Sequence, residues 1–175
     1  MYICHPDHEP TKLSRTGHTS WSLDEVDFGT NGPYLDANTT ATTITPQQAA
    51  AATGKTLTLS ATTGVNNDQG WLTTDVGRIV KFNGGTAKIT ARTNSTVAVA
   101  TIVDAFTNTD ATAPFQLGSF SDTTGFPSSV SFFEQRLVFA ATNDQPQTIF
   151  FSKSGDYENM SAGTNDDDAM VYTIA

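Results

Sequence analysis

Apolar and polar residues alternate in short runs along most of this chain, the pattern of half-buried strands rather than of amphipathic helices. The clearest strands are predicted at Thr56–Ser60, Gly77–Phe82, Ala87–Arg92, Thr96–Val103, Val130–Phe133, Arg136–Ala141 and Thr148–Ser152. Asn83-Gly84-Gly85 is a hairpin signal, because Asn and Gly accept the positive φ of tight turns. Thr93-Asn94-Ser95 supplies the next turn, so residues 77–103 read as a three-stranded meander. The one helix-like stretch runs from Pro46 to Gly54, with Thr45 as a cap and Gly54 as a stop. It is short enough to be marginal, and its alanines serve equally well as a small-residue linker.

The pattern also divides the chain. Residues from about 39 to 113 are rich in Thr, Ala and Asn, whereas the flanks hold most of the Pro, Tyr, Phe and acidic residues. The flanks resemble one another. Tyr2-Ile3-Cys4 is followed by a polar turn, Pro10 and Leu13-Ser14-Arg15-Thr16-Gly17, with Trp21 beyond. Leu137-Val138-Phe139-Ala140 is followed by a polar turn, Pro146 and Phe151-Ser152-Lys153-Ser154-Gly155, with Tyr157 and Met160 beyond. A repeated hairpin of this size fits the four-stranded blade of a propeller, on the order of 40 to 50 residues. The expected fold is all-β: propeller-like antiparallel hairpin flanks, 1–38 and 118–175, joined as one discontinuous blade-like domain. A linker or short helix at 39–54 leads into an inserted small β barrel or sandwich at 55–117. The flanks are expected to share one sheet system, with Asn38 near Gly118. Both ends of the chain read as strand-like runs, Tyr2-Ile3-Cys4 and Met170 to Ala175, which suggests an internal portion of a longer polypeptide.

Composition strengthens the β reading: Thr is abundant, Phe, Val and Ile supply most large apolar side chains, and Leu and Glu are scarce. The formal net charge is −9, from 18 acidic and 9 basic residues, with the basic residues scattered. That argues against specific nucleic-acid recognition, although a like-charged wall lets a polyanion pass without sticking. One cysteine, Cys4, excludes an intrachain disulfide framework. No apolar run approaches the roughly 20 residues of a membrane-spanning helix, and no signal-peptide pattern opens the chain.

Chemistry-bearing clusters are few. Cys4-His5-Pro6-Asp7-His8-Glu9, with His18, has the residue types of a zinc site, but adjacent Cys4 and His5 point to opposite faces of a strand. Asp166-Asp167-Asp168, with Asn165 and Asp156, offers oxygen ligands without the spacing of a calcium loop. No Gly-x-Ser-x-Gly elbow, phosphate-loop spacing or nominated carboxylate pair is present. No catalytic residue, cofactor or metal is therefore expected, and the chain reads as a non-enzyme. The candidates are structural: Trp21, Trp71, Phe132, Phe133, Phe150, Phe151 and Tyr157 as core or assembly residues, and Glu134 with Arg136 as a partly buried ion pair. Because the doublets Phe132-Phe133 and Phe150-Phe151 put a ring on each face of a strand, both faces are expected to be covered.

The runs Gly125-Phe126-Pro127, Phe132 to Phe139, Gln145 to Thr148 and Ser152 to Asn159 resemble a segment of the tail proteins of short-tailed phages and prophages. The opening His5 to Arg15, with Trp21 and Phe28, is similar to the segment preceding it in such proteins, and Asp75 to Ile79 with Ala87 to Thr90 is similar to their inserted β module. The resemblance covers most of the chain except about 38–56. It implies an internal portion of a ring-forming tube, nozzle or head–tail connection protein. The implied partners are further copies of itself or other phage tail proteins, with passive contact to passing DNA and no membrane. The implied location is the virion tail, after synthesis in the bacterial cytoplasm. The competing readings are a carbohydrate- or receptor-binding tail module, using aromatics such as Trp71, and a non-catalytic portion of a tail-associated hydrolase.

Overall fold

A computed structural model describes residues 1–174 and is built from antiparallel strands. In chain order these are β1 Tyr2–His5, β2 His8–Arg15, β3 Trp21–Glu25, β4 Ile44–Pro46, β5 Ala52–Leu59, β6 Ile79–Phe82, β7 Gly85–Arg92, β8 Val97–Asp104, β9 Gln116–Leu117, β10 Ser129–Phe133, β11 Arg136–Ala140, β12 Thr148–Phe151 and β13 Met170–Thr173. A single 3-10 turn spans Thr73–Asp75. The chain forms two compact units: Met1–Pro33 with Thr124–Ala175, and Tyr34–Thr123.

The second unit holds a six-stranded sheet in the order β4-β5-β8-β7-β6-β9. Its local logic is visible in β8, where Val97-Ala98-Val99-Ala100-Thr101-Ile102 alternates half-buried and buried positions, so that Ala98, Ala100 and Ile102 reach the core. The hairpin between β6 and β7 turns on Asn83 and Gly84, at φ 45° and 71°, as the Asn-Gly signal predicts. Thr93 and Asn94 close the next turn onto the Val97 carbonyl, completing the β6-β7-β8 meander. The sheet curls, because Ile44 of β4 exchanges backbone hydrogen bonds with Thr112, a few residues before β9 at the opposite edge. The interior is filled by Ile44, Leu57, Leu59, Val65, Trp71, Val80, Phe82, Ile89, Ile102, Phe106, Phe115 and Leu117, with Phe82 and Phe106 stacked 4.2 Å apart.

The 39–54 segment departs from its expected role. No helix forms: Ile44–Pro46 is a strand, and Ala49 packs on the core while its carbonyl accepts the Phe106 N–H. Gly54, read as a helix stop, uses its φ of 66° at a register shift between β5 and β8. Strand pairing with β8 outweighs the modest helix propensity of four alanines. At the unit's end it is Tyr34 that bridges Gly118, while Asn38 bonds the Phe115 carbonyl instead.

A buried polar brace holds the loop before β6. Arg78 and Asp75 are fully enclosed and paired at 2.8 Å, and the guanidinium also bonds Asn66 Oδ1 and the Gly118 carbonyl. Asp75 further accepts from Asn66 Nδ2, the Leu72 N–H and Thr123 Oγ1. Three successive left-handed residues, Asn66, Asn67 and Asp68, shape the loop, with Gly70 after them, where a Cβ would meet the Ser95 carbonyl at 2.1 Å.

The first unit contains two sheets, not the single one expected: β1-β2-β3 and β10-β11-β12-β13, each in consecutive order. The two flanks nevertheless pack on each other. Phe126 donates to the Pro6 carbonyl, Met160 to the Asn31 carbonyl, and the Phe28 ring meets Phe139 edge-on at 6.1 Å. The matched Leu13-to-Gly17 and Phe151-to-Gly155 runs occupy equivalent places: each closes a strand, β2 or β12, that is paired antiparallel on both sides.

Candidate functional site

Exposed apolar side chains gather on the first unit. In β1, Tyr2 and Cys4 are half-buried while Ile3 and His5 are exposed, which fixes the inner and outer faces of the three-stranded sheet. The register pairs Leu13 with Leu23 and Arg15 with Trp21, so Ile3, Leu13, Leu23 and Trp21 share the outer face. Trp21 is 58% exposed, and the Arg15 guanidinium lies 5.6 Å from its ring centre, a cation–π contact.

In the four-stranded sheet, Arg136, Leu137 and Phe139 of β11 and the inward positions of β12 are buried, whereas β13 is an edge strand with every residue exposed. Met170, Val171, Tyr172 and Ile174 follow one another with neither a charge nor a proline among them, the devices by which edge strands usually discourage pairing. On the other edge, Phe132 and Phe133 are 55% and 57% exposed. Phe132 is the centre of an aromatic trio, edge-on to Tyr157 at 5.2 Å and to Tyr2 at 6.0 Å.

Two polar devices fix this surface. Arg136 is buried and donates from Nη1 to the Ser152 and Asp168 carbonyls and from Nη2 to the Asp166 carbonyl, so one guanidinium ties β11, β12 and the acidic turn before β13. Lys153 pairs with Asp167 and Asp168 across that turn, and the hydrogen bonds to both carboxylates push its pKa up. Elsewhere, Glu158 accepts from Lys12 and from the Tyr2 hydroxyl. The Lys12 hydrogen bond holds the Glu158 carboxyl below its ordinary range, while burial, then the Glu158 carboxylate, pushes the Tyr2 phenol up.

The aromatic residues singled out from sequence separate by burial. Trp71 and Phe150 are buried core residues, Phe151 is half-buried, and Trp21, Phe132, Phe133 and Tyr157 are exposed. Three expectations are corrected. Trp71 lies wholly inside the second unit and presents no ring for a saccharide. Both rings of the Phe132-Phe133 doublet are exposed, because β10 is an outer strand. Arg136 bonds backbone carbonyls rather than Glu134, which sits at φ 45° in the two-residue β10–β11 turn. Sequence reading missed Leu23 and the Met170–Ile174 edge as surface features, since an apolar alternation looks the same whether its outer face is covered or bare.

The acidic turn Asp166–Asp168 is occupied by Arg136, Lys153 and Asn165, and among the described residues no group of three or more His, Cys, Asp or Glu is arranged to hold a metal. Among the described residues no helix is long and apolar enough to cross a membrane. No protein-family model matches the chain, and comparison with curated proteins finds none similar to it.

Proposed function

We propose that this chain is a structural component of a bacteriophage tail, at the tube, nozzle or head–tail connection, which assembles by symmetric contacts around the DNA path. The observation that carries the reading is the concentration of bare apolar positions on the first unit: Trp21 and Leu23 on one sheet, Phe132, Phe133 and the Met170–Ile174 edge on the other. Such a surface, unusual for a protein working alone, is what a subunit keeps for its neighbours. The reading draws further support from the consecutive antiparallel order of the four-stranded β10-β11-β12-β13 sheet, an arrangement that propeller blades also use, and from the sequence resemblance to short-tailed-phage tail proteins. The acidic surface suits a wall past which a polyanion slides.

The reading is tested on the full-length parent polypeptide, by negative-stain microscopy and native mass spectrometry, together with the genes beside its reading frame. Closed rings and neighbouring portal or tail genes are expected. A strictly monomeric parent in a locus without virion genes removes the proposal.

A further inference from the structure

The β1–β2 hairpin reverses through Pro6 and Asp7 alone, so His5 and His8 are direct cross-strand partners on the outer face. Both are exposed, and their ring centres stand 5.2 Å apart with the planes 34° from parallel. With metal–nitrogen bonds of about 2.0–2.1 Å and a near-tetrahedral angle, two imidazoles on one ion have centres roughly 5.3 Å apart. We propose that His5 and His8 form a surface site for a borderline divalent cation of the Zn2+ class, with water in the remaining coordination positions.

Two features support a pair rather than two unrelated side chains. Pro6 fixes its own φ, and its carbonyl is held by the Phe126 N–H, so the turn that sets the spacing is anchored in the unit. The Asp7 carboxylate lies 3.9 Å from His5 Nδ1, beside the ring edge away from a ligand at Nε2. There it can take a hydrogen bond from Nδ1 once the ion holds Nε2, the carboxylate–histidine–metal arrangement that orients imidazole ligands; the Asp7 N–H, which donates to Nδ1 at 3.2 Å, then gives way.

Neighbouring groups leave the set at two protein ligands. Cys4 points to the inner face, opposite His5, and so cannot join the pair. His18 is engaged by the Arg15 guanidinium at 2.9 Å, a neighbour that repels a cation. Such a site loads and releases its ion readily, and the Irving–Williams order makes Cu2+ and Ni2+ binders as well.

The test is a titration of the 175-residue chain with ZnCl2 at pH 7.5, read in histidine-ring and backbone amide resonances. His5 and His8 are expected to shift together and saturate at one ion per chain, with His18 unmoved. His5→Ala and His8→Ala should each weaken binding at least about tenfold, the lower end of what even an outer-shell partner commands, and His18→Ala should leave it unchanged. If an alanine variant loses amide dispersion, His5→Gln and His8→Gln replace it. Binding within twofold of the parent in either single variant overturns the proposal, as do zinc-dependent shifts confined to the Asp166–Asp168 turn.

Discussion

The two units are nearly equal in length and opposite in character. Tyr34–Thr123 buries fifteen apolar side chains in one cluster and leaves only Val76 and Val103 exposed among its large apolar residues. Met1–Pro33 with Thr124–Ala175 buries seven and, among the described residues, exposes eleven. Charge divides in the same direction: the second unit carries 6 acidic and 5 basic residues, the first 12 and 4, so nearly all of the −9 belongs to the first. A unit whose sheet curls until Ile44 meets Thr112 satisfies its own apolar faces, whereas one made of two small sheets with open edges cannot cover both faces of each. The same alternating pattern therefore yields a closed core in one place and a bare apolar surface in the other.

The sharpest way to break this contrast is to attack the second unit's interior. Asp75→Ala strands the enclosed Arg78 charge and removes an acceptor from Asn66, Leu72 and Thr123. Trp71→Ala empties the centre of the core. Each should cost about 3–5 kcal/mol, measured by urea unfolding of the chain followed by circular dichroism, and amide signals of residues 34–123 should collapse before those of the first unit. Loss of less than about 1 kcal/mol would mean that the second unit does not rest on its own core.

A smaller effect is expected from Arg136→Met, which keeps the side chain's bulk and removes the three donors to the Ser152, Asp166 and Asp168 carbonyls. About 2–3 kcal/mol should be lost, with faster amide exchange concentrated in β13 rather than in the second unit. Uniform exchange across both units would remove the role assigned to this guanidinium.

Surface changes on the first unit should barely touch stability. Trp21→Ser, Leu23→Ser, Phe132→Ser and Tyr172→Lys are each expected to shift it by no more than about 0.5 kcal/mol, yet to lower self-association of the chain in sedimentation experiments. Because the first unit is strongly acidic, association of the parent should rise with salt as repulsion is screened. Unchanged association in all four variants would show that the bare face is not used between copies.

The smallest effect concerns pH. Glu158 is held below its ordinary value by Lys12, so its contribution is present above the unfolded carboxyl value and is lost as pH falls through the lower folded one. Both partners are partly exposed, which limits the pair to about 0.5–1 kcal/mol. Glu158→Gln should therefore destabilise the protein by that amount at pH 7 and by almost nothing at pH 3. An equal loss at both values would assign the effect to packing.

Much of this could be read from residues alone. The seven predicted strands lie within a few residues of the observed β5 to β8 and β10 to β12, and Asn83-Gly84 marks its turn, because alternation and left-handed turn residues are local properties. Local pattern also named Phe150 and Trp71 as structural residues. It did not say which sheet a strand would join, so β4 hid in an alanine-rich stretch, and the flanks, matched in sequence, became two packed sheets rather than one. Nor did it distinguish Arg136 bound to carbonyls from Arg136 paired with Glu134, since the acceptors lie 16 to 32 residues away. Strand, turn and the all-β class were legible because each is set by neighbours a few residues apart. Which apolar faces closed and which stayed bare was not legible there, because burial depends on what a sheet packs against, and that partner comes from distant chain.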